Sequence, residues 1–280
     1  MDDNVGLYFI FNGVLKDSAN PEYLDTVKNR VVYEAIRIID GIPLFFEDHY
    51  LRMEKSISSI GGVLSITVNE FSRLIKVISD ANKSINCNIK IAVYEENGRQ
   101  NALIYLSKSY YPSKEEMDRG ASVGLLQLER NDPNAKLFNQ TYRDTVNKSI
   151  NEGNFFEVLL VNNYGEITEG SKSNVFFVKE NKIFTAPGTH VLKGVTRKYV
   201  IEACETAGFE VIEQFTYKGG LGEIEGVFLS GTSINVFPVS SIDNCLFKSS
   251  THPVISSVRD EYSRVIKKNI DNPNSKSTRP

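Results

Sequence analysis

Cysteine and histidine are scarce in this sequence, and their spacing argues against several kinds of site. The three cysteines, Cys87, Cys204 and Cys245, are odd in number and far apart, which indicates reduced thiols and not a disulfide framework. The three histidines have no metal-ligand spacing, and no Gly-x-Ser-x-Gly elbow accompanies them. A metal centre and a serine-hydrolase site are therefore disfavoured.

Long apolar runs and strong charge of either sign are also lacking. The first residues, MDDNVGLYFIFNG, begin acidic and have neither the basic nor the apolar region of a signal peptide. No stretch approaches a transmembrane span, and GGLG at 219–222 lacks the spacing of a nucleotide-binding loop. The net charge of -3 gives no reason to expect a nucleic-acid or membrane partner. We therefore expect a cytoplasmic protein that acts on small molecules.

The length of 280 residues is sufficient for two domains. The segment 110–121 is polar and contains a proline and a glycine, so it predicts a linker with the domain boundary near residue 120. We expect a small amino-terminal α/β domain over 1–120 and a larger carboxy-terminal domain over 121–280. The tail from about residue 271 has a disordered composition.

Hydrophobic periodicity predicts hairpins with helices between them, which indicates an α+β or mixed α/β fold and not a doubly wound sheet. Residues 42–46 are predicted as a return strand, and 96–99 as the turn of a later hairpin. Between them, a helix is predicted with Leu51, Ile57 and Ile60 on its apolar face. The other helices are predicted at 68–82, about 138–152, about 196–207 and about 254–269.

Three segments carry distinctive patterns. In YEAIRIIDGIPLFFEDHYLRMEKS at 33–56, an aromatic-Glu pair is followed by an Arg, a Gly turn, His-x-x-Arg and a Ser. In DPNAKLFNQT at 132–141, Lys136 comes shortly before Asn139 at the start of a predicted helix. GEITEGSKSNVFF at 165–177 has a Gly turn, Thr-Glu-Gly-Ser, and Asn-Val-Phe on the next strand.

Two further segments offer backbone amides to an anion. Gly194-Val195-Thr196 precedes an amphipathic helix, so the N–H groups at its start point towards an anion. SGTSINVFPV at 230–239 places Thr232 in a turn between strands. Each segment by itself is equally explained as a helix cap or a hairpin turn.

Together the five segments resemble, in order and spacing, the class IV (fold type IV) pyridoxal-phosphate-dependent aminotransferases. That family includes branched-chain aminotransferases, D-amino-acid aminotransferases and 4-amino-4-deoxychorismate lyases. The resemblance spans residues 7–269 and implies a two-domain fold like that of D-amino-acid aminotransferase. It also implies pyridoxal 5'-phosphate as cofactor, amino-acid and 2-oxo-acid substrates, and a homodimer.

The resemblance gives roles to individual residues. Lys136 would be the catalytic residue that forms the internal aldimine and acts as a base on the substrate's α proton. Glu169 would keep the pyridine nitrogen of the cofactor protonated. The other residues implied in cofactor binding are Arg52, Asn174, Val195, Thr196 and Thr232. The residues implied in substrate binding are Tyr33, Thr232, Ser233 and Arg99.

The sequence departs from the family pattern in two places. Where relatives usually have Gly-Asp-Gly, this chain has Asn29-Arg30-Val31. The strand IKIAVYEENGRQNA lacks the Arg-Gly or Arg-x-His that binds the substrate carboxylate in many relatives, so Arg99 or Tyr94 is a candidate to replace it. An arginine in a turn is also explained as a solvated side chain. Because specificity depends on such contacts, the sequence leaves the substrate open.

Three functions are consistent with these motifs. The first is a transaminase, and the second is a 4-amino-4-deoxychorismate lyase that releases pyruvate. Glu34 stands where one type of lyase carries Thr, which favours transamination. The third is an inactive ligand-binding relative, and the presence of both Lys136 and Glu169 argues against it.

Overall fold

The computed structural model describes residues 4–19, 31–130 and 132–273. Two features of the sequence lie outside these ranges. Asn29 and Arg30 precede the second range, so the departure from the family pattern there has no structural description. The same holds for the expected tail after residue 273.

The chain divides into two units. Unit 1 consists of Met1–Tyr110, Ala135–Asn139 and Lys268–Pro280. Unit 2 consists of Tyr111–Asn134 and Gln140–Lys267. This division differs from a single cut near residue 120, because short segments from later in the sequence group with the amino-terminal part.

The described part of unit 1 contains one antiparallel sheet and two helices. The strands are β1 (Asn4–Phe11), β2 (Val14–Asp17), β3 (Val32–Ile39), β4 (Ile42–Pro43), β5 (Cys87–Glu96) and β6 (Arg99–Ser107). The helices are α1 (Phe46–Ser59) and α2 (Val68–Ala81). The strand order is β2-β1-β6-β5-β3-β4. The turn predicted at 96–99 is confirmed, since Glu96 pairs with Arg99 across it.

Helix α2 has the apolar spacing that the sequence predicts. Thr67 caps it by accepting a hydrogen bond from the backbone N–H of Glu70 at 3.3 Å. The buried side chains of this helix, at the spacing of one helical face, are Phe71, Leu74, Ile75, Ile78 and Ser79. The prediction of a helix at 68–82 is therefore confirmed.

The predicted apolar face of α1 is wrong at Leu51, whereas Ile57 is buried and Ile60 packs against the same core. Leu51 is 46% exposed, whereas His49, Met53 and Ile57 are buried. Residues two apart on an α-helix lie about 200° apart, so Leu51 points away from the face that includes His49. Because one of the buried residues is a histidine, the apolar residues by themselves do not indicate which face of α1 is buried.

The predicted strand at 42–46 is also shorter than expected. Strand β4 contains Ile42 and Pro43 alone, and Pro43 has no N–H for a further ladder bond. Phe45 adopts a φ of 51°, in the left-handed region, and α1 begins at the next residue. The Phe45 N–H donates to the side-chain oxygen of Asn269 at 3.1 Å, which holds this turn.

The two faces of the unit 1 sheet differ. One face packs under α1 and α2 and buries aliphatic side chains of alternate strand positions, including Ile36, Ile89 and Ile104. The opposite face is more aromatic. Its buried cluster consists of Phe9, Val31, Ala92, Tyr94, Leu103 and Tyr105, with Phe11, Tyr33 and Phe138 packed against it.

Residues 135–139 belong to unit 1 because they pair with the start of β3. The Tyr33 N–H donates to the carbonyl of Lys136 at 3.1 Å, and the Phe138 N–H donates to the carbonyl of Val31 at 2.8 Å. Leu137 forms an antiparallel bridge with Val32. Together these contacts fix the lysine segment along an edge of the sheet.

The described part of unit 2 contains a mixed sheet of ten strands. Its strands are β7 (Ala121–Gln127), β8 (Glu157–Val161), β9 (Glu166–Gly170), β10 (Asn174–Lys179), β11 (Lys182–Thr185), β12 (Val211–Glu213), β13 (Thr216–Tyr217), β14 (Gly226–Gly231), β15 (Asn235–Ile242) and β16 (Cys245–Leu246). The order is β12-β11-β10-β14-β15-β7-β8-β9-β13, and β16 pairs with β15. The pairs β11–β12, β15–β7 and β7–β8 are parallel, and the other pairs are antiparallel.

The predicted helices of the second half of the chain are present. The helices are α3 (Lys114–Arg119), α4 (Gln140–Gly153), α5 (Val195–Thr206) and α6 (Pro253–Asp271). Helix α3, which begins with a capping box at Ser113 and Glu116, lies within the segment predicted as a linker. Across the described ranges, every helix is too short or too polar to cross a membrane.

The core of unit 1 gives a test of the packing. Phe71 is 0% exposed and its ring lies 5.6 Å from that of Tyr50. We expect Phe71→Ala to lower the free energy of unfolding by about 3–5 kcal/mol, because the neighbouring helix and sheet cannot close the cavity. Urea denaturation measures this. Val63→Ala, at a residue that is 84% exposed, is the control. A change under about 1 kcal/mol for Phe71→Ala would contradict the packing described.

Candidate active site

Lys136 lies on the aromatic face of unit 1 and is fixed from two sides. Its carbonyl accepts from Tyr33, and its own N–H donates to the hydroxyl of Ser56 on α1 at 3.2 Å. Its Nζ lies 4.8 Å from the centroid of the Tyr33 ring. Lys136 and Tyr33, which were both selected from the sequence, are thus adjacent. The two hydrogen bonds restrict the backbone conformation at Lys136.

Arg52 is bound in a fork by a buried carboxylate. Its Nε and Nη2 donate to the two oxygens of Glu34, each at 2.7 Å. The ring Nδ1 of buried His49 lies 2.7 Å from the same carboxylate. A bidentate pair of this kind fixes the plane of the guanidinium. The pair uses two of the five N–H donors of Arg52.

The charges of this cluster shift its proton affinities. Burial raises the pKa of Glu34, but the charge and hydrogen bonds of Arg52, with a smaller effect of His49, outweigh it and lower the pKa to about 2. Burial lowers the pKa of His49 below its ordinary value, although Glu34 opposes this. At neutral pH the cluster therefore contains a carboxylate, a guanidinium and a neutral imidazole.

Arg99 lies apart from these residues. It is exposed at the end of the β5–β6 hairpin, where it pairs with Glu96 across Asn97 and Gly98. Tyr33 pairs with Ala92, four residues along β5 from Glu96, which corresponds to about 13 Å of strand. Within unit 1 the structure does not bring Arg99 next to Lys136.

In unit 2, Glu169 is a buried carboxylate held by an arginine and a backbone amide. Its Oε1 lies 3.0 Å from Nε of Arg130, and its Oε2 accepts from the N–H of Leu192 at 3.2 Å. Arg130 also donates to the carbonyl of Ser171 at 2.9 Å and lies over the ring of Tyr142. These contacts stabilise the ionised form of Glu169 inside the protein.

A second buried carboxylate shapes the loop after Glu169. Glu157, on β8, accepts from the hydroxyls of Ser171 and Ser173 and from the backbone N–H of Lys172. Burial raises the pKa of Glu157, which these donors oppose. A side chain at Gly170 would collide with Ser173 and Glu157. Close packing around the carboxylate of Glu157 therefore explains the Glu-Gly-Ser sequence at 169–171.

Asn174 connects this loop to the start of α5. Its Nδ2 donates to the carbonyl of Leu192 at 3.0 Å, and a side chain at Gly194 would collide with its oxygen. The N–H of Leu192 donates to Glu169, so one backbone segment is bound from both sides. The structure thus brings Glu169, Asn174 and the residues before Val195 together.

The start of α5 has the chemistry of an anion site. Gly194 occupies the cap position without a side-chain hydrogen bond, and Val195 and Thr196 are buried. The first N–H groups of a helix have no partner within the helix, so buried ones need another acceptor. The sequence analysis selects these same two residues.

The turn with Thr232 and Ser233 follows the strand beside Asn174. It joins β14 to β15, where Gly231 pairs with Asn235, and both side chains are half-buried. Ser230, the residue paired with Asn174, has a buried hydroxyl without a hydrogen-bond partner among the described residues. A buried hydroxyl with no partner fits a polar ligand at this end of the strand.

Several residues that position Arg52, Glu169 and their neighbours had no predicted role. Glu34 stands in the aromatic-Glu pair, but its partner Arg52 lies 18 residues later. Arg130 follows β7, and the sequence gives no sign that its side chain reaches Glu169. The other residues in this category are His49, Lys90 and Glu157, which are buried, and Tyr142, which is half-buried.

The donor set fits pyridoxal 5'-phosphate. That cofactor needs an amine, a carboxylate for its ring nitrogen, and donors for a phosphate. Lys136, Glu169, Arg52 and the uncapped start of α5 have these properties, and the Ser230 hydroxyl is a polar atom still to be satisfied.

Comparison with known proteins decides the family. The family model for amino-transferase class IV matches residues 31–242, most of the chain. The chain belongs to the class IV aminotransferases. As a member of this family it is a transferase of amino groups that depends on pyridoxal 5'-phosphate. The resemblance found in the sequence motifs is thereby confirmed.

Relatives within this aminotransferase family are similar over most of their length. A D-alanine aminotransferase of Bacillus licheniformis is 30% identical over 223 residues, which cover 76% of this chain and 78% of the relative. A protein of Thermotoga maritima named probable branched-chain-amino-acid aminotransferase is 27% identical over 238 residues, 82% of this chain and 84% of the relative.

Solved structures show that this aminotransferase has the same fold as its relatives. The Escherichia coli branched-chain amino acid aminotransferase superposes with a TM-score of 0.82 at 21% identity, covering 93% of this chain and 95% of the other. The enzyme of Thermobaculum terrenum in its PLP form gives 0.80 at 23% identity, with 95% of each chain covered. The expected fold type IV architecture is confirmed.

The Glu34–Arg52 fork gives a test with a matched control. We expect Glu34→Gln to lower the free energy of unfolding at pH 7 by about 3–5 kcal/mol, because it removes the buried carboxylate that pairs with the largely buried guanidinium of Arg52. Glu70→Gln breaks a similar fork to Arg73 on the surface of α2, and little change is expected. Urea denaturation of both variants is the measurement.

The pH dependence of the same comparison follows from the shifted pKa. The pKa of Glu34 is about 2 in the folded protein against an ordinary 4.5. The stabilisation is therefore complete above pH 4.5 and is lost as the pH falls towards 2. The difference between wild type and Glu34→Gln should shrink over that interval. A difference that is constant with pH would show that the charge of Glu34 is not the cause.

Proposed function

We propose that this aminotransferase transfers the amino group of a 2-amino acid to a 2-oxo acid, with Lys136 as the residue that carries the cofactor. The observation that supports this role is the position of Lys136. Its backbone is bound to Tyr33 on one side and to Ser56 on the other, and its ammonium group lies against an aromatic ring.

The bound cofactor supplies an electron-withdrawing ring next to the substrate's α carbon. The proposed role of Lys136 is then to take the proton from that carbon with its Nζ and to deliver it to C4' of the cofactor. Glu169 is proposed to hold a proton at the ring nitrogen. Arg130 and the Leu192 N–H fix the position of the Glu169 carboxylate, which is proposed to accept a hydrogen bond from the ring N–H.

Arg52, which Glu34 orients, is proposed as a donor to the phosphate of the cofactor. The N–H groups of Val195 and Thr196 at the start of α5, and Thr232 in the β14–β15 turn, are further proposed donors. Asn174 is proposed to act indirectly, since its side chain holds the segment before α5. Tyr33 and Ser233 stay candidates for contact with the substrate.

Small apolar amino acids are the proposed amino donors. The relative of 30% identity is a D-alanine aminotransferase, and the one of 27% identity is named for branched-chain amino acids. The first name specifies the D series, and the second specifies no hand. We therefore propose alanine of the D series and the branched-chain amino acids as the donors to compare first.

A homodimer in the cytoplasm is proposed as the working form. Val5, Leu7 and Val14 are exposed on β1 and β2, which supports self-association through apolar surface. The three cysteines are free thiols, which supports a reducing compartment. Sedimentation equilibrium that shows monomers alone would refute the dimer, and cell fractionation tests the location.

The donor experiment tests the proposed reaction directly. The protein loaded with pyridoxal 5'-phosphate is mixed with D-alanine, L-leucine, L-valine or D-leucine without an acceptor, and formation of pyridoxamine 5'-phosphate is measured by chromatography. We expect conversion with at least one of these donors. The Lys136→Ala variant should fold, as shown by an unchanged melting curve, but convert at least about 100-fold more slowly without its base.

Two results would contradict the proposal. No conversion by wild type with any donor, D-alanine and branched-chain alike, would refute the proposed reaction. Conversion by Lys136→Ala at the wild-type rate would show that another residue moves the proton.

A further inference from the structure

Arg197 is a buried cation in the first turn of α5. Its side chain is 7% exposed, whereas its ion-pair partner Glu213 on β12 is half-exposed. The Nε atom of Arg197 is buried and has no hydrogen-bond partner among the described residues. Because burying an incompletely bonded guanidinium is costly, an apolar side chain would be more stable at this position if packing alone mattered.

The other donors of Arg197 hold the start of the β11–α5 loop, residues 186–194. Its Nη2 donates to the carbonyl of Ala186 at 2.9 Å, and its Nη1 and Nη2 donate to Oε1 of Glu213 at 3.4 and 3.3 Å. The Oε2 of Glu213 accepts from the backbone N–H of Gly188 at 2.9 Å. The guanidinium and the carboxylate thus bind two backbone groups of one loop.

The other end of the same loop carries the contacts that hold Glu169. Leu192 donates its N–H to Oε2 of Glu169 at 3.2 Å, and its carbonyl accepts from Asn174 at 3.0 Å. Between the two ends, the N–H of His190 donates to the carbonyl of Pro187 at 2.9 Å, which closes a turn. A short loop with a closed turn between two fixed ends has few alternative conformations, so its ends are coupled.

Charge also connects Arg197 with Glu169. Burial lowers the pKa of Arg197, and the charge and hydrogen bonds of Glu213, with a smaller effect of the charge of Glu169, oppose this. The attraction is mutual, so the guanidinium of Arg197 favours the ionised form of Glu169. Arg130 contacts the same carboxylate directly at 3.0 Å. Glu169 therefore lies in the field of two buried or largely buried guanidinium groups.

We infer that Arg197 is a positioning residue for Glu169, because it fixes the β11–α5 loop at Ala186 and, through Glu213, so that the N–H of Leu192 meets the carboxylate. This inference rests on the proposed function, in which Glu169 binds the ring N–H of the cofactor. A carboxylate that loses a hydrogen-bond donor and a neighbouring cation holds its own proton more strongly. Without Arg197, the proton should therefore move from the ring nitrogen towards Glu169.

Hydrogen exchange of the full chain, measured without added cofactor, tests the hold on the loop. We expect Arg197→Met to speed amide exchange in the peptide that contains Leu192 by about tenfold or more, because the loop loses its bonds at Ala186 and Glu213. Lys182→Met is the matched control, since it breaks an exposed ion pair of β11 with Glu210. Exchange at the wild-type rate in a folded Arg197→Met protein would overturn the inference.

The 15N chemical shift of the cofactor's ring nitrogen tests the effect on Glu169. In protein loaded with pyridoxal 5'-phosphate labelled at that atom, wild type should give the shift of a protonated pyridine. We expect Arg197→Met to move the shift towards that of an unprotonated pyridine, and Arg197→Lys, which keeps the charge, to restore part of the change. A purely structural role would lower the melting temperature and leave this shift unchanged.

The outcomes separate the inference from the proposed function. A protonated ring in both wild type and Arg197→Met would overturn the inference, whereas an unprotonated ring in wild type would refute the proposed role of Glu169 instead. If Arg197→Met does not fold, Arg197→Lys carries the nitrogen measurement. Glu213→Ala then carries the exchange measurement, because it releases the Gly188 N–H from a half-exposed position, and wild-type exchange in that variant would overturn the inference.

Discussion

The pairing of residues 136–138 with the start of β3 is the contact on which the candidate site of unit 1 depends. Two backbone hydrogen bonds and one bridge bring Lys136 to Tyr33, although more than a hundred residues separate them in sequence. The Ser56 hydroxyl binds the Lys136 N–H from α1. Because backbone bonds fix the lysine, its amine stays on the aromatic face, beside the ring of Tyr33. The same face places Lys90 near Tyr33.

Buried carboxylates have a comparable role in both units, since each orders a group that is expected to bind a ligand. Glu34 fixes the guanidinium of Arg52, and Glu157 shapes the loop between Glu169 and Asn174. Glu169 itself is fixed by Arg130 and by the Leu192 N–H. Burying charge in this way is costly unless each carboxylate is fully hydrogen-bonded. The positions of the groups proposed to bind a ligand are therefore determined by groups that need not contact it.

The sequence predicted the local features of the fold well, because these depend on neighbouring residues. The spacing of Phe71, Leu74 and Ile78 defines α2, and the motifs around Lys136 and Glu169 indicated the family. Leu51 was wrongly placed on the apolar face of α1, where a histidine that pairs with Glu34 is buried instead. Arg130 and Lys90 were missed because their neighbours are distant in sequence, and periodicity contains no information on such contacts. The roles of the individual site residues stay predictions.

The central claim is that Lys136, and not its neighbour Lys90, carries the cofactor. The direct measurement is to reduce the loaded protein with sodium borohydride, digest it and find the modified peptide by mass spectrometry. The account predicts that the mass of the reduced cofactor is on the peptide containing Lys136, with Lys90 unmodified. Modification of Lys90 or of another lysine, with Lys136 unmodified in a folded protein, would contradict it.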